Sequence, residues 1–158
     1  MTDELKKEFT LKITRANATE LIVILYDMIL VYIKEAGEFW EEKNKEGYLR
    51  SLQKIRNCIG ELMESLNLEY EMARNMYSLY VFFLKEIVKA ETDRDGKKYL
   101  EKIKPMIESL RNAFDQVALE NKSGPIMQNT QTVYAGLTYG RKDVNVNLEQ
   151  LSNRGFRA

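Results

Sequence analysis

Residues 21–33, LIVILYDMILVYI, contain one polar side chain, Asp27. The run is too short for a membrane span, which needs ~20 apolar residues, and the Lys34, Glu35, Glu38 and Glu41 that follow would not enter lipid. Protein must therefore cover it. On a helical wheel Glu20, Asp27, Lys34, Glu38 and Glu41 share one narrow face. Leu21, Leu25, Ile29, Tyr32, Ile33 and Ala36 lie opposite, on the expected core face. Val23, Ile24, Leu30 and Val31 flank or interrupt the polar strip. A helix that is apolar on its back as well as its front calls for a second covering layer.

Outward from this run, Asn17 and Glu20 have the spacing of a capping box, so a helix is expected over 18–42, stopped by KNKEG at 43–47. Residues 1–15 are charged and weakly patterned and read as a mobile arm carrying Phe9, Leu11 and Ile13. A second helix, 48–66, has Tyr48, Leu52, Ile55, Ile59, Leu62 and Leu66 on one stripe and a uniformly polar back, as expected of a bundle helix with one buried side. A third, 69–91, places Ala73, Met76, Tyr77, Tyr80, Phe83, Leu84 and Ile87 toward a core. Phe82 projects to its polar side and Leu79 sits at the border. The fourth, 97–121, contains Pro105, which predicts a kink or break because the ring removes the bond to Glu101.

Between the third and fourth helices, Asp93, Asp95 and Gly96 mimic part of a calcium loop, but Lys102 stands where the bidentate glutamate belongs, so an interhelix turn is expected. Four amphipathic helices with short turns predict an all-α, antiparallel up-down-up-down four-helix bundle over 16–122. The arm 1–15 precedes it, and a long, partly disordered tail, 123–158, follows. The tail is rich in Asn, Gln, Thr and Gly. It carries two alternating runs, Val133-Ala135-Leu137-Tyr139 and Val144-Val146-Leu148, that suit a hairpin or extended chain.

Composition narrows the function. Twenty-four basic and 24 acidic residues give zero formal charge, which does not suggest duplex DNA or an anionic membrane as partner. The absence of histidine removes di-iron Glu-x-x-His pairs, imidazole zinc sites and Ser-His or Cys-His nucleophiles. The single Cys58 excludes an intrachain disulfide and reads as a small buried hydrophobe, and no phosphate-binding glycine motif occurs. The opening MTDELKKEF has no apolar signal core. No catalytic residue, cofactor or metal is therefore expected; a helical bundle with surplus apolar surface is a binder more than an enzyme.

The chain also resembles a family. Residues 16–27, ANATELIVILYD, followed by Ala36, are similar to the opening helix of the flagellin-specific export chaperones called FliS, whose pattern is A-S-P-x-x-L-I-x-x-L-Y-D/E; here Asn17-Ala18 stands for Ser-Pro. IGELMESL at 59–66, ARNMYSLY at 73–80 and SLRNAF at 109–114 are similar, in order, to that family's later segments, with Phe114 in place of a tryptophan. The resemblance implies a cytoplasmic secretion chaperone for the disordered C-terminal segment of flagellin. That segment would fold into helices on the chaperone surface and be kept from polymerising before export. Other flagellar export components are further partners in its reach. Nucleic acid and membrane insertion are not expected, and the chain would be a monomer or weak homodimer.

Helical geometry, independently of the resemblance, nominates Val23, Ile24, Leu30, Val31, Leu79 and Phe82 as partner-binding residues, since helix-in-groove recognition needs apolar surface outside a stable scaffold. The arm would shield that surface until flagellin displaces it. The competing reading is a homodimeric interaction module that buries the same strips against itself, unrelated to export.

Overall fold

The structure, a computed structural model, describes residues 1–123. It contains five helices: α1 (Asp3–Arg15), α2 (Ala18–Glu41), α3 (Lys45–Glu64), α4 (Glu71–Thr92) and α5 (Lys97–Ser123). The expected tail and its alternating runs lie outside the described residues. Among the described residues there is no strand, and no helix is long and apolar enough to cross a membrane.

Local chemistry sets the helix ends. Asn17 Oδ1 accepts from the Glu20 amide at 2.9 Å while Glu20 Oε2 accepts from the Asn17 amide at 2.9 Å, the expected capping box. At the other end of α2, Lys43 adopts φ 56°, and the Asn44 amide donates to the Phe39 carbonyl at 2.8 Å, closing a Schellman turn without glycine. Asn44 then caps α3, accepting from the Gly47 amide at 2.9 Å. KNKEG thus stops one helix and starts the next, and α3 begins at Lys45 rather than at the expected Tyr48.

The α4–α5 connection is a turn, as expected. Asp93 Oδ1 accepts from the Asp95 amide at 2.9 Å and Oδ2 from the Tyr99 hydroxyl at 2.6 Å, and these bonds, the amide first, hold the carboxyl at about 2. Gly96 is required there, because a Cβ would lie 2.2 Å from the Ala90 carbonyl and 2.6 Å from the Tyr48 hydroxyl. Pro105 does not break α5, which is continuous from Lys97 to Ser123. The proline is exposed, so water can take the carbonyl its ring leaves without a donor.

In the bundle, α2 packs along α3 on one side and α5 on the other, and α4 closes the square between α3 and α5. The core is filled by Ile22, Tyr26 and Ile29 of α2, Leu52, Ile55 and Ile59 of α3, Tyr80, Phe83 and Ile87 of α4, and Leu100, Ile103 and Ile107 of α5. Each such side chain contributes roughly 1.5–3 kcal/mol by leaving water. Tyr77, expected on the core face, is instead exposed. Residues 1–15, expected as an arm, form α1, a fifth helix outside the four-helix core and packed on α2.

Candidate partner-binding surface

The first helix follows from signals that are weak singly. Thr2 Oγ1 accepts from the Leu5 amide at 3.3 Å, Asp3 and Glu4 occupy the first turn, and Lys12 and Arg15 the last, matching the helix dipole at both ends. Leu5 and Phe9, four residues apart, share one face of α1, and Met1, ahead of the Thr2 cap, packs against the core cluster. Two residues, Ala16 and Asn17, separate α1 from α2, and the Met1 amino group pairs with Glu35. These two fixed points make α1 antiparallel to α2 and set Phe9 level with the middle of the apolar run.

This position bears on the nominated residues. Val23 and Ile24 are each only 7 % exposed, yet neither belongs to the central core cluster, so they are buried from the outside. Phe9, 6 % exposed and likewise outside that cluster, is the one buried residue of α1. Leu11 and Ile13 remain in solvent. The side of α2 that carries Ile24 and Val31 also carries Met28 and Glu35, by the helical repeat, and this is the side on which α1 lies. Val31 is half-buried and makes no contact with the core cluster, whereas Leu30, also half-buried, packs against it.

Leu79 and Phe82 stand elsewhere. They are half-buried on α4 and pack against the core. Lys102 of α5 places its ammonium 5.0 Å from the Phe82 ring centroid and reaches Glu86 Oε2 at 3.1 Å, while Lys89 donates to Glu86 Oε1 at 2.6 Å. The Lys89 bond foremost, helped by Lys102, holds the buried Glu86 carboxyl below its usual range despite desolvation. Phe82 is thus roofed by a cation. The six residues divide between two separate surfaces, the α1–α2 face with its α5 border and the α4–α5 seam.

The polar residue of the apolar run has a structural role. Asp27 Oδ1 accepts from Arg111 Nε at 2.8 Å, and Arg111 Nη1 donates to Asp115 Oδ2 at 2.9 Å, tying α2 to α5. Tyr26, beside it, meets Tyr80 at 2.6 Å between hydroxyl oxygens and the Phe114 ring at 5.9 Å between centroids. The segments 16–27, 73–80 and 109–114 therefore converge at one level of the bundle. Cys58 is buried and its thiol is pushed up to about 11 by desolvation, the environment of an inert hydrophobe. Among the described residues no group of three or more His, Cys, Asp or Glu could hold a metal ion.

The fold is a four-helix bundle with a short fifth helix of its own chain packed on the outer side of α2. The chain matches the family described as "Flagellar protein FliS" over residues 1–122 and belongs to it. It is also similar to the flagellar secretion chaperone FliS of Bacillus subtilis (strain 168), 27 % identical over 104 residues that cover 66 % of this chain and 77 % of that relative.

Proposed function

We propose that this FliS-family protein is a cytoplasmic secretion chaperone, not an enzyme, that binds the C-terminal segment of flagellin as helices on its surface and keeps it from polymerising before export. The observation that carries the reading is the burial of Ile24, outside the core cluster and on the side of α2 where α1 lies, beside a helix whose one buried residue is Phe9. One buried phenylalanine contributes roughly 1.5–3 kcal/mol. An incoming amphipathic helix with several apolar anchors would bury more than this and can take the place of α1. Other flagellar export components are candidate partners for the surface that flagellin leaves uncovered.

The test is calorimetry with a flagellin C-terminal peptide on the full chain and on a chain lacking residues 1–12, with sizing of both. A monomer that binds the peptide, more tightly without α1, supports the chaperone. A tight dimer indifferent to the peptide would instead establish the homodimeric module.

A further inference from the structure

One end of the bundle is more apolar than the other. The Tyr26–Tyr80 contact sets α2 and α4 level with each other across the diagonal, and both run antiparallel to α5, whose Lys97 and Arg111 meet Glu41 and Asp27 of α2 and whose Lys102 meets Glu86 of α4. Counting along the helices from these pairs brings the start of α2, the α3–α4 turn and the last turns of α5 to a common level, and the two-residue link brings the end of α1 there too. Leu68, Tyr70 and Met72 in and after the α3–α4 turn, and Ile13 of α1, are all exposed at this end, Met72 by 55 %. Val88, also exposed, lies toward the opposite end.

The chain beyond Ser123 leaves from this apolar end. In a sequence that is 30 % charged, residues 124–140 contain no Asp, Glu, Lys or Arg, and they carry Ile126, Met127, Val133, Tyr134, Leu137 and Tyr139. Two residues separate Ile126 from Ser123, and the fourteen from Ile126 to Tyr139, fully extended, reach up to ~46 Å, against ~10 Å between neighbouring helix axes, so every part of the end is within reach. We propose that residues 126–139 of the same chain cover the apolar end formed by Ile13, Leu68, Tyr70 and Met72. The occupant is matched in chemistry, being uncharged and carrying apolar anchors at alternating positions. It is matched in place, being attached where the patch lies. A tether of this length gives ~1 mM effective concentration, at which even a contact with Kd of ~0.1 mM is about nine-tenths populated. The inference does not depend on flagellin binding.

The experiment compares the full chain with its Val133→Asp/Leu137→Asp variant, both substitutions lying outside the bundle. Methionine methyl groups carry the isotope label, and the Met72 resonance is identified by Met72→Leu. The Met72 methyl should move in the variant, independently of protein concentration, and binding of a hydrophobic dye should rise up to about tenfold as the uncovered fraction grows from one-tenth to nearly all. An unmoved Met72 methyl with unchanged dye binding would overturn the proposal. So would a Met72 shift that tracks concentration, which would assign the end to a second copy of the chain.

Discussion

The hydroxyl oxygens of Tyr26 and Tyr80 lie 2.6 Å apart, both side chains fully buried, and join α2 to α4 across the diagonal of the bundle. Neither helix packs extensively on the other, so this bond and the surrounding rings hold the diagonal. Removing one hydroxyl strands the other away from water. Tyr80→Phe is expected to cost about 1–3 kcal/mol in urea unfolding. Tyr26→Phe/Tyr80→Phe should cost less than the sum of the single changes, because no orphan remains. Additive effects would show that the two hydroxyls do not depend on each other.

Alkaline pH should destabilise the fold through the same pair. Burial raises both hydroxyls, that of Tyr80 from 10.0 up to about 12. Above pH 10 the unfolded chain releases these protons and the folded chain keeps them, so the folded state binds more protons and stability falls as pH rises toward the folded value. Below pH 10 the contribution is fully present. Each tyrosine adds a slope of up to about 1.4 kcal/mol per pH unit in that window. Denaturation curves between pH 8 and 11.5 should steepen near 10, and less so for Tyr80→Phe. Equal slopes in both proteins would remove Tyr80 from the account.

Lys43 occupies the left-handed region at φ 56°, where a side chain costs roughly 1 kcal/mol and glycine costs little. The turn it makes is already hydrogen-bonded, so Lys43→Gly should raise stability by about 0.5–1 kcal/mol despite the freer unfolded chain. Thermal unfolding measures it, and a lower melting temperature would mean that the entropy of glycine dominates.

Of the nominated binding residues, Val31 gives the cleanest probe, being half-buried and free of core contacts. Val31→Asp should weaken flagellin-peptide binding by ~10-fold, about 1.4 kcal/mol, with helical content unchanged. Leu30→Asp and Phe82→Asp would also disturb packing against the core, and Phe82→Asp would place a second carboxylate near Glu86. Undiminished affinity in Val31→Asp would move the groove away from α2.

The bundle was legible because its four helices carry apolar stripes at the helical period, and Asn17 with Glu20 announced the first of them. The first helix was not, because its apolar face of Leu5 and Phe9 is sparse among charged residues, although Thr2 and the charges at each end were signals to be found. Val23 and Ile24 were recognised as apolar on the wrong side of α2. A wheel shows that a cover is needed without saying what supplies it; here α1 packs on the side of Ile24, while Val23 lies toward α5 with Asp27. The cation over Phe82 was beyond reach for a related reason, since pairing Lys102 with Phe82 requires the register of α5 on α4. Tyr77 failed as a core residue because the stripe on α4 is narrower than its periodicity suggested.

The two-residue connection between α1 and α2 has a consequence in time. When α1 lifts, its return is a local event: short loops close in ~10–100 ns and a helix of this size re-forms in ~1 μs. A second molecule at ~1 μM, arriving at ~10⁶ M⁻¹s⁻¹, needs about a second. An empty face therefore closes again roughly a million times sooner than a stray neighbour can find it, and self-association is outrun by the shortness of the hinge.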